Sequence, residues 1–331
     1  MQYSSVTELF EAFSKLKVLV IGDVMVDSYI WGSVTRISPE APVPVVLAGK
    51  KEKRLGGAAN VALNVQALGA IPIPCAIVGD DIDGEFFLNR LKERGIPSKG
   101  VITSRERATT VKERILSGSN QMLRIDTETD KELTALEQKT MLQHIKNLLP
   151  ECDVVVFEDY DKGVINKSII AETIGEANRL GIPTVVDPKK RNFMDYKGAT
   201  LFKPNLKELR EGLKVEVDPK DMDSIKAASA ALQQALEAKM VMVTLSEYGV
   251  FMKDNGDTHL IPAHVRQISD VSGAGDTVIS VVACGLAAKL MAKTTAAIAN
   301  LAGGLVCEHV GVVPIDKEAL GREIEEIELL S

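Results

Sequence analysis

From Leu133 onward, short apolar runs alternate with segments of helical length, and this alternation restricts the chain to few folds. A helix over about 136–149 precedes a strand at 154–157, and a helix over about 167–180 precedes a strand at 184–186. A strand at 201–203 follows, and a helix over about 221–236 precedes a strand at 240–244. Strands separated by helices of this length are joined by right-handed crossovers into a parallel sheet. The first third carries the same signs. Residues 18–21 are a continuous apolar run, as buried parallel strands are, ending in Gly22-Asp23. Residues 73–78 form a strand ending at Gly79-Asp80, with a helix over 84–94 behind it. A short amphipathic helix over about 6–15 opens the chain, and helices near 295–309 and 317–328 cover the sheet. The predicted fold is α/β, a mostly parallel, doubly wound sheet with helices on both faces, in one domain spanning 1–331. No internal repeat, low-complexity segment or long linker interrupts it.

Polar residues recur where these strands end: Asp159, Asp161, Lys162, Asp187, Lys189, Asn205, Glu208, Thr244 and Ser246. Open α/β sheets bind ligands at the carboxyl ends of their strands, so the row marks one active-site edge. Asp23 and Asp27, after the first strand, belong to that edge or are ordinary loop caps.

Asp270-Val271-Ser272-Gly273-Ala274-Gly275-Asp276-Thr277 is the strongest local signal. Gly273 and Gly275 lack Cβ atoms, so the backbone can turn tightly and a ligand can approach its N–H groups. Those groups open an apolar helix, expected to start near Thr277, where unpaired donors and the positive dipole end favour an anion. A carboxylate at that mouth suits deprotonation of a hydroxyl beside held phosphate charge. The same residues also suit a glycine turn with Asp276 as a helix cap, and the stretch alone leaves both open. A second glycine pair, Gly56-Gly57 in Leu55-Gly56-Gly57-Ala58-Ala59-Asn60, leads into a small-residue helix running to Leu68. Asn60 there offers both a donor and an acceptor. Neither the Gly-x-Gly-x-x-Gly dinucleotide fingerprint nor the Gly-x4-Gly-Lys-Ser/Thr phosphate loop occurs.

Two extended patches break the alternation. Residues 28–50 include Pro39, Pro42 and Pro44, which exclude a helix or a central strand but permit edge strands. Residues 105–126 contain Thr109, Thr110, Val111, Ile115 and Leu123. Together they predict a small projecting sheet, which concentrates Arg36, Lys112, Arg114, Gln121 and Arg124. Charges on edge strands commonly guard against aggregation. That role suits Lys112, while Arg114 and Arg124 fit it or a ligand equally well.

The 39 Lys and Arg against 46 Asp and Glu give a net charge of −7, with no basic block, which argues against a nucleic-acid groove. Cys75, Cys152, Cys284 and Cys307 stand far apart, as reduced core residues of a cytoplasmic protein do. The four histidines show no zinc spacing. No apolar run is long enough to span a membrane, and the N-terminus shows no signal-peptide pattern.

Gly56-Gly57-Ala58-Ala59-Asn60 near the start and residues 270–277 near the end resemble the two signatures of the ribokinase-like (PfkB) carbohydrate kinases, and Asn205-x-x-Glu208 matches that family's third motif. Within the family, four stretches resemble the kinases acting on heptose 7-phosphate in ADP-heptose synthesis: residues 22–27, 36–46, 121–126 and Asp159-Tyr160-Asp161-Lys162-Gly163. The long run 36–46 carries most of that resemblance.

The resemblance implies ATP-dependent phosphorylation of D-glycero-D-manno-heptose 7-phosphate at O1, with Mg²⁺. Another PfkB substrate is the alternative, and a non-catalytic sugar-binding relative is an alternative of another class. Asp276 is implied as the base, with the N–H groups of Ala274, Gly275 and Asp276, beyond Gly273, as the anion hole. Asn205 and Glu208 would organise Mg²⁺, Glu208 through water, and the nucleotide phosphates. Thr244, Ser246 and Gly249 resemble the nucleotide loop, and Asn300 a residue beside the adenine. Ser246 stands where many relatives have Gly. Asp27, Gly56, Gly57 and Asn60 would hold sugar hydroxyls, and the projecting sheet would be a lid. The substrate's distal phosphate would meet Arg114 and Arg124, with Lys162 and Lys189 as further cations, because a forked guanidinium suits a terminal phosphate, and Asp161 would also contact the substrate. Arg36 would instead brace the proline-rich strand. Asp276, facing a positive field, is expected to stay ionised at neutral pH. A homodimer joined through the lids is expected, since isolated small sheets are marginal. Some relatives carry a nucleotidyltransferase domain after the kinase; with the sequence running to Ser331, the kinase alone is expected.

Overall fold

A computed structural model describes residues 3–118, 120–254 and 256–330; the remainder of the expected 1–331 domain lies outside the described residues. Thirteen strands occur among them: β1 (Lys17–Gly22), β2 (Val24–Ile37), β3 (Pro44–Gly57), β4 (Ile71–Gly79), β5 (Gly100–Ser104), β6 (Val111–Ser117), β7 (Asn120–Thr127), β8 (Val154–Glu158), β9 (Thr184–Asp187), β10 (Leu201–Phe202), β11 (Met240–Thr244), β12 (Val250–Asp254) and β13 (Asp257–Ile261). The helices are α1 (Val6–Phe13), α2 (Ala58–Ala67), α3 (Ile82–Glu93), α4 (Ala135–Leu148), α5 (Lys167–Leu180), α6 (Leu206–Leu213), α7 (Met222–Leu236), α8 (Ala274–Ala287), α9 (Ala292–Val306) and α10 (Lys317–Glu326).

Nine strands form one sheet in the order β13-β12-β11-β10-β9-β8-β1-β4-β5. The seven from β11 to β5 are parallel, and β12 and β13 close one edge as an antiparallel hairpin. The pleat sorts β1 into two cores. Val18 and Val20 pack with α1, α2, α3, α8, α9 and α10, while Leu19 and Ile21 pack with α4, α5, α6 and α7. All four are fully buried, each worth about 1.5–3 kcal/mol of apolar burial. This is the doubly wound arrangement with helices on both faces. β1 pairs with β4 on one side and β8 on the other. The winding therefore reverses beside β1, and the crevice beyond the ends of β1 and β8 is the binding position of such sheets.

The smaller sheet has the order β3-β2-β6-β7. β2 pairs antiparallel with β3 and parallel with β6, and β6 pairs antiparallel with β7. Pro39 and Pro42 fall in the connection between β2 and β3, and Pro44 opens β3, an edge strand where a missing N–H costs no ladder bond.

Several boundaries differ from expectation. Only Asp23 separates β1 from β2, so Asp27 lies within a strand rather than a turn beyond one. The hairpin runs through 24–57 rather than 28–50, which makes Gly56 and Gly57 the end of β3. Residues 105–110 precede β6 and lie outside the strands. α8 begins at Ala274, not near Thr277, because Gly273 at φ 83° turns the chain directly into the helix. β5, β12, β13 and α6 carried too few residues to stand out; α6 has only eight and is secured by its cap. Among the described residues no helix is long and apolar enough to cross a membrane. The four cysteines are buried and form no disulfide.

Candidate active site

The first turn of α8 lies in the crevice. Gly273 is its N-cap residue, Asp276 lies in its first turn, and Asp276 is 6% exposed. Of the three expected N–H donors, that of Ala274 turns back toward the Val271 carbonyl at 3.3 Å. Gly275 faces a buried ion pair: a Cβ there would lie 3.5 Å from Asp187 Oδ2 and 3.9 Å from Lys203 Nζ. Lys203 Nζ and Asp187 Oδ2 are 2.7 Å apart. Burial opposes the charge on Lys203, but Asp187, Glu208 and Glu158 hold its pKa above the ordinary value. A fixed positive charge therefore sits beside the head of α8, where the helix dipole has the same sign.

Both oxygens of Asp276 are engaged. Asn60 Nδ2 donates to Oδ2 at 2.6 Å, and the Tyr160 hydroxyl donates to Oδ1 at 2.9 Å. Asn60, expected on the sugar, thus touches the expected base directly. Burial raises the Asp276 pKa to about 6, against the lowering effect of those two donors; Asp187 adds to the rise and Lys203 opposes it. The positive field alone does not set this pKa, because desolvation outweighs it. At pH 7 the ionised form still predominates by about ten to one. Glu158, fully buried at the end of β8, has its pKa raised well above the ordinary range by burial and by Asp187 and Asp276.

Thr244, Ser246, Gly249 and Asn300 come together around one cavity of about 560 Å³, which also reaches Ala274 and Gly275. Ser246 opens a 3₁₀ turn at φ 53°, a left-handed conformation that glycine adopts without cost. A serine held there is strained, which is a physical reason to expect glycine at such a position. Gly249, at φ 92°, could not carry a Cβ without striking the Ile261 carbonyl. Asn300 Nδ2 donates to the Pro262 carbonyl at 2.8 Å, which ties α9 to the segment after β13. His264, Arg266, Gly303 and Gly304 line the same cavity and were not singled out in the sequence. Only the pairing of distant segments brings them there.

Asn205 caps α6, and Glu208 closes a capping box with it. The second Glu208 oxygen receives Lys189 Nζ at 2.9 Å. Burial opposes the Lys189 charge, but Asp187, Glu208 and Glu158 raise its pKa. Lys189 Nζ also lies 5.3 Å from the centre of the Tyr160 ring. Hard oxygen donors on a partly exposed carboxylate suit Mg²⁺ held through water, the usual protein contribution to a site completed by phosphates. Among the described residues no cluster of three or more His, Cys, Asp or Glu could hold a metal by itself.

The expected sugar side has a different geometry. Arg114 donates to Asp27 Oδ1, so two expected contacts meet each other. Asp27 lies over Gly56, where a Cβ would collide with its carboxylate. A Cβ on Gly57 would likewise strike the Asp23 carbonyl, so the paired glycines let β2 and β3 close on these acids. Arg124 is directly opposite Arg114 in the β6–β7 register, half exposed and bonded to Asp126. Lys162 pairs with Glu128 at 2.8 Å. Asp161 is at φ 57°, and its Oδ1 is buried without a hydrogen-bond partner. Asp23 accepts from the N–H groups of Tyr160, Lys162 and Val164, which fixes that loop at the crevice. Tyr160, Lys203 and Glu158 were missed as site residues. Tyr160 did stand in a stretch noted for resemblance, and Lys203 closed a noted strand.

A family model described as pfkB family carbohydrate kinase matches residues 15–318. The bifunctional protein HldE of Desulfatibacillum aliphaticivorans is 39% identical over 95% of this chain and 64% of its own length. That of Magnetococcus marinus is 41% identical over 93% of this chain and 64% of its own length. The chain therefore spans less than two thirds of these curated relatives. Among solved structures, phosphofructokinase-2 from Escherichia coli in complex with potassium matches with a TM-score of 0.75 at 18% identity, covering 94% of this chain and 99% of the other. Arabidopsis thaliana ribokinase complexed with ribose and ATP matches with a TM-score of 0.73 at 17% identity, covering 96% and 99%.

Proposed function

Since this chain belongs to the pfkB family of carbohydrate kinases, we propose that it transfers the γ-phosphoryl group of ATP to O1 of D-glycero-D-manno-heptose 7-phosphate, giving the 1,7-bisphosphate, as a cytoplasmic step in ADP-heptose synthesis. The observation that carries the kinase chemistry is Asp276 in the first turn of α8, beside a cavity lined by Thr244, Ser246, Gly249 and Asn300. The sugar is supported by the heptose-kinase-like stretches at 22–27, 36–46, 121–126 and 159–163 and by the opposed Arg114 and Arg124.

Asp276 takes the proton of the acceptor hydroxyl as the oxygen–phosphorus bond forms. The N–H groups of Gly275 and Asp276, the dipole of α8 and Lys203 face the charge on the transferring group. Lys189 adds a second cation from the side of Glu208. Glu208, through water, and Asn205 would hold Mg²⁺, which would supply charge neutralisation on the nucleotide phosphates. The smaller sheet acts as a lid that keeps water from the reacting group.

A phosphoryl-transfer assay over heptose 7-phosphate, unphosphorylated heptose, fructose 6-phosphate and ribose tests this reading. The highest kcat/KM is expected with heptose 7-phosphate and phosphate is expected on O1 of the product. A clear preference for another acceptor overturns the substrate assignment, and no transfer to any sugar overturns the kinase reading.

A further inference from the structure

A base beside a bound nucleoside triphosphate carries a risk when the acceptor is absent, because water can take its place. The surroundings of Asp276 suggest how this chain limits that leak. Its carboxylate is nearly fully buried and meets two donors, Asn60 and Tyr160. The two differ in freedom. Asn60 is fully buried in the first turn of α2, its carbonyl accepts from Asn64 Nδ2 at 2.9 Å, and Gly273 packs against its side chain. Tyr160 stands on the loop after β8 and is only partly buried. Its backbone is held, since its N–H and those of Lys162 and Val164 all donate to Asp23. With the loop so anchored, any withdrawal of the hydroxyl from Asp276 is a rotation about the Tyr160 side-chain bonds.

Tyr160 is also kept as a donor. Burial, followed by the charge of Asp276, raises the phenol well above its ordinary pKa. Lys189 Nζ, 5.3 Å from the ring centre, adds a cation–π contact on the side toward Glu208.

We propose that Tyr160 is a positioning residue that guards the base: with the acceptor site empty, its hydroxyl occupies the Asp276 oxygen that an acceptor hydroxyl must reach, and the arriving acceptor displaces it. This inference rests on Asp276 being the base of the proposed kinase. The suppressed reaction is ATP hydrolysis. In it a water oxygen bonds to the γ-phosphorus, the bond to the β–γ bridging oxygen breaks with its electron pair leaving on ADP, and the water's proton passes to the Asp276 carboxylate.

The test compares sugar-independent ATP hydrolysis with sugar-dependent transfer in the intact chain. Tyr160→Phe keeps the ring and removes the hydroxyl. The ratio of hydrolysis to transfer is expected to rise by about fivefold, the factor that one hydrogen bond of ordinary net strength is worth. Adding Asp276→Asn to Tyr160→Phe is expected to abolish the gain. An unchanged ratio in a variant with a normal thermal transition overturns the guard and leaves the base assignment standing. A gain that survives Asp276→Asn also overturns it, because the leak then bypasses that carboxylate. Asp276→Asn alone separates the two ideas: full sugar transfer by that variant removes the base, and the guard with it. Should Tyr160→Phe fold poorly, Tyr160→Leu provides the same comparison.

Discussion

Asn205 and Glu208 hold each other across the start of α6: the Glu208 N–H donates to Asn205 Oδ1 at 2.8 Å, and the Asn205 N–H donates to Glu208 Oε2 at 2.8 Å. The pair proposed to organise the metal and nucleotide is thus also a structural cap. Asn205→Ala is expected to cost about 1 kcal/mol of stability, the usual value of such a cap, and to raise the KM for Mg-ATP. Thermal melting and titration of Mg²⁺ check both effects. A defect that added Mg²⁺ never alters, with sugar affinity changed instead, would assign the pair elsewhere.

Asp276→Asn is expected to preserve the fold, since the amide keeps the shape of the carboxylate and can still accept from Asn60 or Tyr160. Turnover should fall by at least about 10²-fold, the scale of a lost general base. Near-normal kcat in a variant with an unchanged melting transition would remove Asp276 from the chemistry.

The pH dependence follows from the same carboxyl. Buried, Asp276 has a pKa raised to about 6, and the ionised form is the active one. The kcat/KM profile should therefore lose activity as pH falls through about 6. The stability effect has the opposite sense. A folded-state pKa above the unfolded value means that the folded chain binds the extra proton, so this group favours folding below its unfolded pKa and loses that contribution as pH rises through about 6. Asp159, also raised to about 6 by burial and by Asp23, acts in the same direction. An acid limb near pH 4 would show that the free enzyme does not bury this carboxyl as described.

Arg114 and Arg124 face the same side of the smaller sheet. Removing an arginine that reads the distal phosphate should weaken sugar-phosphate binding by roughly 1.5–3 kcal/mol and leave ATP binding unchanged. Arg114→Ala should also destabilise the chain, because Asp27, only 4% exposed, loses its ion-pair partner. Arg124→Ala, at a half-exposed site, should not. Comparing heptose 7-phosphate with unphosphorylated heptose for each variant separates the roles, and full discrimination in both variants moves the phosphate to other residues.

Sedimentation tests the proposed dimer. Val43, just before β3, and Leu123 on β7 are about half exposed, and Val45 and Ile115 are partly covered. A second copy pairing through this sheet would bury them, and Leu123→Asp should shift the population toward monomer. A concentration-independent monomer in the unaltered chain rules the dimer out.

The strands 154–158 and 240–244 and the helix at 167–180 were legible because fully buried parallel strands leave unbroken apolar runs and the helices between them leave a 3.6-residue stripe. The β12–β13 hairpin and α6 were not, since a few residues at a sheet edge or beside a cap carry no period. Thr244, Ser246, Gly249 and Asn300 could be named from local pattern and likeness, and they do surround one cavity.

By itself the sequence determined the longer helices, the buried parallel strands and the chemical types at the strand ends, because backbone propensity and apolar periodicity are local properties. Tertiary structure alone decided which of those types meet. Lys203 lies against Asp187 beside Gly275, Asn60 and Tyr160 close on Asp276, and Arg114 answers Asp27 across two strands. It also decided where Asp276 titrates: the helix end favours the carboxylate, but the surrounding packing removes water, and that desolvation raises the pKa to about 6.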